Sequence, residues 1–174
     1  MRLISFNLFF ILLLFGCDVS QNPIQNKDLL FSYKSLIQDL TLQKVKLIKY
    51  ITYQNKVDTI IISEEQLNLK KELQLFEEAI IIKRPQSSYE MKNIKEGCSK
   101  KYDAIDQNQI IRRLEFNTCN NDFSIQINMN KSSPLFAFNY TLNLDKSGYV
   151  IQVDSKVDLV YQSIYTIEGT FLKQ

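Results

Sequence analysis

The feature that most constrains this chain is a strict apolar–polar alternation over its last third. Phe123, Ile125, Ile127 and Met129 fall on one side of an extended segment, and Ser124, Gln126 and Asn128 on the other. Phe136-Ala137-Phe138-Asn139-Tyr140-Thr141-Leu142-Asn143-Leu144 repeats the pattern. Successive strand residues point to opposite faces, so such segments need an antiparallel sheet with one buried face and one wet face. Asp145-Lys146-Ser147-Gly148 reads as a hairpin turn, with Gly148 where a positive φ is expected. Tyr149–Val153, Val157–Tyr161 and Tyr165–Leu172 read as three further strands. Upstream, Tyr89–Ile94, Lys101–Ile105 and Ile110–Asn117 are strand-like, the last two around a polar turn at Asp106-Gln107-Asn108-Gln109.

Two earlier stretches change period. From about Lys27 to Lys44, Leu29, Tyr33, Leu36, Ile37 and Leu40 recur at helical spacing. Leu47–Tyr53 and Val57–Ile62 then read as a β-hairpin about Gln54-Asn55-Lys56, a single helix over 27–53 being the alternative. Ser63-Glu64-Glu65-Gln66 has the form of a capping box, and Leu69, Leu73, Phe76 and Ile80 continue it as an apolar stripe. Pro85 predicts that this second helix ends near Ala79. The expected fold is α+β: two amphipathic helices packed on an antiparallel, meander-like sheet, flat or curved.

The amino terminus places the chain. Arg2 precedes an apolar run, Leu3–Phe15, of signal-peptide length and short of the ~20 residues that span a bilayer. Leu14-Phe15-Gly16-Cys17 closes it as a lipobox, so Cys17 is the expected lipidation site. Acyl chains there would anchor the protein in a membrane, each buried CH2 adding ~0.8 kcal/mol. The chain thus divides into a lipoprotein signal peptide (1–16), a lipidated Cys with a polar tether (17–25) and a single α+β domain (26–174). With 21 basic and 19 acidic residues, its charge is too balanced to argue for nucleic acid.

The chain has no His, which excludes Ser-His-Asp and Cys-His catalysis and every His-containing zinc site. It has 3 Cys, too few for a four-Cys zinc site, and no metal or cofactor is expected. Cys98 and Cys119 flank the strands on either side of the 106–109 turn, so folding there brings them together as a disulfide pair. The loop closed predicts ~3 kcal/mol of stabilisation. Glu64/Glu65 and Glu77/Glu78 are paired acids, but neighbours on a helix point about 100° apart, the geometry of a solvated face. Asp103 and Asp106 read as turn residues, and the basic doublets Lys70/Lys71, Lys100/Lys101 and Arg112/Arg113 are scattered. One binding site suggests itself. Phe136, Phe138 and Tyr140 share a face, as do Tyr165, Ile167 and Phe171. On a curved sheet Phe138, Tyr140 and Ile167 would line a pocket for an apolar ligand; on a packed one they would meet the helices.

Three motifs carry a resemblance: Leu14-Phe15-Gly16-Cys17, then Lys71-Glu72-Leu73-Gln74-Leu75-Phe76 before Ile82-Lys83-Arg84-Pro85, then Tyr165-Thr166-Ile167-Glu168-Gly169-Thr170-Phe171. In these the chain resembles small outer-membrane-type lipoproteins of Bacteroidota. The resemblance implies an outer-membrane lipoprotein and supplies no activity or catalytic residue. No acidic cluster follows Cys17 to direct surface display in such bacteria, so the periplasmic face is expected. The functional expectation is a non-enzymatic, lipid-anchored envelope module that binds another protein or stabilises an assembly. The alternative is a binder of an apolar small molecule or lipid between sheet and helices.

Overall fold

The computed structural model describes residues 27–82, 86–95, 97–157 and 161–173. The leader, Cys17 and the tether lie outside the described residues. The first helix, α1 (Lys27–Leu42), buries Leu29, Tyr33, Leu36 and Leu40, the stripe read from the sequence. Lys44 stops it with φ 49. The Val45 amide then donates to the Leu40 carbonyl at 3.5 Å and the Lys44 amide to that of Thr41 at 3.2 Å. This is a Schellman stop with its usual hydrophobic contact, since Leu40 and Val45 are both buried. The helix over 27–53 therefore does not form.

Strands β1 (Lys46–Tyr53) and β2 (Lys56–Ile62) pair antiparallel in the register Tyr53↔Lys56 to Leu47↔Ile62. Gln54 and Asn55 connect them at φ 47 and 62, the left-handed pair that a two-residue type I′ turn requires. The second expected helix begins later and is broken. Ser63 starts a turn, its carbonyl accepting from the Gln66 and Leu67 amides at 3.1 and 3.0 Å. Asn68 supplies the cap instead, its side chain accepting from the Lys71 amide at 3.0 Å. The helix then runs as α2 (Leu69–Glu72) and α3 (Gln74–Ile81), parted at Leu73 with φ −101 and ψ 13. The Leu73 carbonyl accepts from the Tyr33 hydroxyl at 2.9 Å, which ties the break to α1. Burial, then the nearby Glu77 charge, raises the Tyr33 hydroxyl above its ordinary pKa.

The remainder is sheet: β3 (Tyr89–Lys95), β4 (Ser99–Ala104), β5 (Ile111–Asn117), β6 (Ser124–Ser132), β7 (Phe136–Asp145), β8 (Gly148–Val157) and β9 (Tyr161–Leu172). All pairs are antiparallel, in one open sheet of order β2-β1-β9-β8-β7-β6-β5-β4-β3. β3 to β9 form the expected meander, and the β1–β2 hairpin adds to its last strand. Of the strand expected over Val157–Tyr161, Val157 ends β8 and Tyr161 opens β9, paired with each other, and 158–160 lie outside the described residues. Leu47, Leu114, Ile127 and Leu142 are fully buried on the inner face, in one core with Leu29, Leu73 and Phe76 from the helices.

Gly148 has no positive φ, contrary to expectation; Gly97 does, at φ 80. What glycine permits at 148 is close approach, because a Cβ there would lie 2.1 Å from the Gly169 carbonyl oxygen.

Candidate functional site

Because the meander reverses at every strand, its hairpins fall alternately at two ends of the sheet. One end carries the disulfide. Cys98 precedes β4 and Cys119 follows β5, and the Ser99↔Asn117 register brings them together. Their Cα atoms are 5.1 Å apart and the sulfurs are bonded. The Thr118 amide and hydroxyl both donate to the Cys98 carbonyl, at 2.8 and 3.1 Å. α1 lies over this end, where Phe31, Ser35 and Asp39 face Thr118, Asp122 and Lys146 across a groove of about 450 Å3.

The helices are fastened to the inner face by a polar cluster. Lys49, Gly169 and Tyr149 stand side by side on β1, β9 and β8. A Cβ on Gly169 would meet the Tyr149 ring at 2.2 Å, so the missing side chain is what lets the ring lie across β9. The Tyr149 hydroxyl donates to Glu72 at the end of α2. The Lys49 ammonium approaches the same carboxylate oxygen at 2.5 Å. Burial first, then the hydrogen bond and charge of Glu72, raises the Tyr149 pKa above its ordinary value. Phe76 of α3 sits edge-on to the Tyr149 ring at 6.3 Å. Chemically the cluster is a clamp: an ion pair and a phenol hold α2 to two strands, β1 and β8, across β9.

Three of the acidic residues singled out in the sequence, Asp103, Asp106 and Glu78, have partners within the fold. Asp103 accepts from Arg113 at 2.7 Å and pairs with Lys101 at 3.1 Å. Burial alone would raise its carboxyl, but those two cations outweigh it and hold the pKa below the ordinary value. Asp106 accepts from the Asn108 amide at 2.8 Å, closing the turn after β4. Glu78 accepts from Gln74 at 2.8 Å along α3. Glu64 and Glu65 stand in a turn, not at a helix start. Among the described residues, no three Cys, Asp or Glu side chains converge as a metal set.

Phe138 and Tyr140 on β7 and Ile167 on β9 do share the inner face, with β8 between them. The rings form a ladder, Phe136 to Phe138 at 5.3 Å and Phe138 to Tyr140 at 6.2 Å. The Lys131 ammonium lies 5.8 Å over Tyr140. Phe138, Tyr140 and Ile167 are half-buried and pack against the core, so they form a layer at its margin. Beside them the Ser155 and Ser163 hydroxyls pair at 2.7 Å.

The opposite, far end of the sheet has a different character. Its hairpins display Tyr53 (β1–β2), Ile105 and Ile110 (β4–β5), Leu135 and Phe136 (β6–β7), and Val157 (β8), all exposed. Ile105 and Leu135 are 68% and 67% exposed, which is high for side chains with no polar group. Among the described residues, the three hairpin tips at the disulfide end present Gly97, Cys98, Asn120, Asp122, Asp145, Lys146 and Ser147 and no exposed large apolar side chain; exposed apolar residues near that end, such as Ile94 on β3 and Phe31 on α1, lie off the tips. Alternate hairpins are two strands apart, about 10 Å, so the tips form a row. The sequence reading passed over these residues. The signal was present, in apolar residues at turns where polar ones are the rule.

No family model, no curated protein and no solved structure matches the chain.

Proposed function

We propose that this chain is a lipid-anchored lipoprotein of the cell envelope, non-enzymatic, whose domain docks another envelope protein at the far end of its sheet. The row of exposed apolar tips carries this reading, because soluble domains rarely leave large apolar side chains on successive turns without a partner. The lipobox supports it: acyl chains on Cys17 would anchor the chain through its amino terminus, with the domain in the periplasm if the anchor is in the outer membrane. Asp103 and Asp106 are engaged in an ion-pair cluster and a turn, which favours a binding role over acid–base chemistry there.

The test is mass spectrometry of what co-purifies with the native, detergent-extracted protein, compared with an Ile105→Ser/Leu135→Ser variant. A stoichiometric protein retained by the parent and lost by the variant supports docking at the tips. Equal retention by both overturns it.

A second reading, an apolar small molecule or lipid held on the inner face, is favoured by the Phe136-Phe138-Tyr140 ladder at the core's margin. Its mark is a stoichiometric lipid that stays with a form lacking Cys17, where the anchor no longer explains it.

A further inference from the structure

The two edges of the sheet are built differently. β3, at one edge, carries Lys92 and Lys95, a Glu90–Lys92 ion pair of 3.4 Å and a register shift between Asn93 and Lys95. Lysines and bulges are the usual means of keeping an edge from pairing with another chain. β2, at the other edge, has no register shift, and its one lysine, Lys56, stands at the turn end, leaving Thr59–Ile62 without a charge. It is exposed along Lys56–Ile61 and ends in three consecutive isoleucines, with Val57 and Ile61 58% and 70% exposed.

The register of the β1–β2 hairpin fixes which backbone groups of β2 point outward. A two-residue turn closes on a hydrogen-bonded pair, here Tyr53↔Lys56, and such pairs then recur at every second residue. Lys56, Asp58, Ile60 and Ile62 therefore bond inward to β1, and Val57, Thr59 and Ile61 offer their N–H and C=O groups outward. An antiparallel copy of the strand matches this set when Thr59 lies opposite Thr59, with Val57 opposite Ile61 on both sides. All three outward residues are then used in each copy. Their side chains share the outer face, since Ile62, of the other parity, stands beside the buried Leu47. Thr–Thr and paired β-branched residues are favourable cross-strand neighbours. The same register sets Lys56 of each copy opposite Ile62 of the other, two residues short of its Glu64, so a lysine faces the approach to an acidic turn at both ends of the strip.

We propose that β2 pairs with β2 of a second copy of this chain about a two-fold axis at Thr59, joining two sheets edge to edge. This surface is separate from the far-end tips, and it stands whether or not they bind a partner.

Disulfide trapping in native membranes carrying the full lipid-anchored chain tests it. Opposed hydrogen-bonded residues have Cα atoms about 5.5 Å apart, within disulfide range. Thr59→Cys is thus expected to give a band at twice the monomer mass under mild oxidation. Val57→Cys alone and Ile61→Cys alone would each place their sulfurs four residues out of register, about 13 Å apart, and give none. The two combined would restore the band. Adding Ile61→Lys to Thr59→Cys is expected to abolish it while the circular dichroism spectrum is unchanged. Equal trapping at all three positions would mean random collision, and a Thr59→Cys product of any other mass a different partner. Either result, or no product, overturns the proposal.

Discussion

The two ends of this sheet come from one meander yet differ in what their turns expose. At the disulfide end the turns are polar and braced. Cys98–Cys119 links two of them, and Asp145 accepts from the Ser147 and Gly148 amides at 2.7 and 3.1 Å in a third. Leu47, Tyr149 and Phe171 fill the inner face there. At the far end the turns carry exposed Ile, Leu, Phe and Val, and the aromatic ladder is only half covered. The difference lies in the turns: those at the disulfide end are polar and cross-linked, whereas those at the far end expose apolar side chains, the surface we propose for docking.

The largest effect expected from this comparison is at Phe76, fully buried between α3 and the Tyr149 ring. Phe76→Ala should cost about 3–5 kcal/mol in urea unfolding. A loss below about 1 kcal/mol would break the idea that the helix-covered region holds the fold together. Next is the disulfide. Replacing Cys98 and Cys119 by Ser should cost about 3 kcal/mol and leave partner retention at the tips unchanged, as seen by thermal melting and co-purification.

A third effect is a pH dependence to which the helix-covered region contributes. Tyr149 has a raised pKa in the fold and ionises around its ordinary value of 10.0 when unfolded. Above that pH the native state holds more protons than the unfolded state, so stability falls as pH rises. Tyr149→Phe should make the decline between about pH 10 and 12 shallower without removing it, because Tyr33 and Tyr140 contribute in the same direction. Stability curves that superimpose across that range would contradict the burial argument. The smallest effect is at the tips. Ile105→Ser and Leu135→Ser should each change stability by less than about 0.5 kcal/mol, because exposed side chains have little packing to lose.

What the sequence made legible follows from distance along the chain. The alternation in β6 and β7, the Gln54-Asn55 turn and the Cys98–Cys119 pairing depend on near neighbours, and they could be read. Ser63-x-x-Gln66 was misleading because a capping-box pattern has two outcomes, and Asn68 offered the better cap five residues later. Val157–Tyr161 read as one strand because it contains no Gly or Pro, although Val157 and Tyr161 belong to two paired strands. The Lys49–Glu72–Tyr149 clamp was illegible, since it joins three elements through a glycine whose opposing ring no local pattern reveals. The row of tips was hidden in another way: each residue is visible, but their gathering at one end follows from the parity of the strands between them.

Site-specific photo-crosslinking in intact cells tests the division between the ends most directly. A photoreactive residue would be placed at Ile105 or Leu135, and at Asn120 or Lys146 as the opposite pair. The account expects one discrete protein adduct from both far-end positions and none from the disulfide end. Adducts of the same protein from Asn120 and Lys146, with none from Ile105 and Leu135, would contradict it.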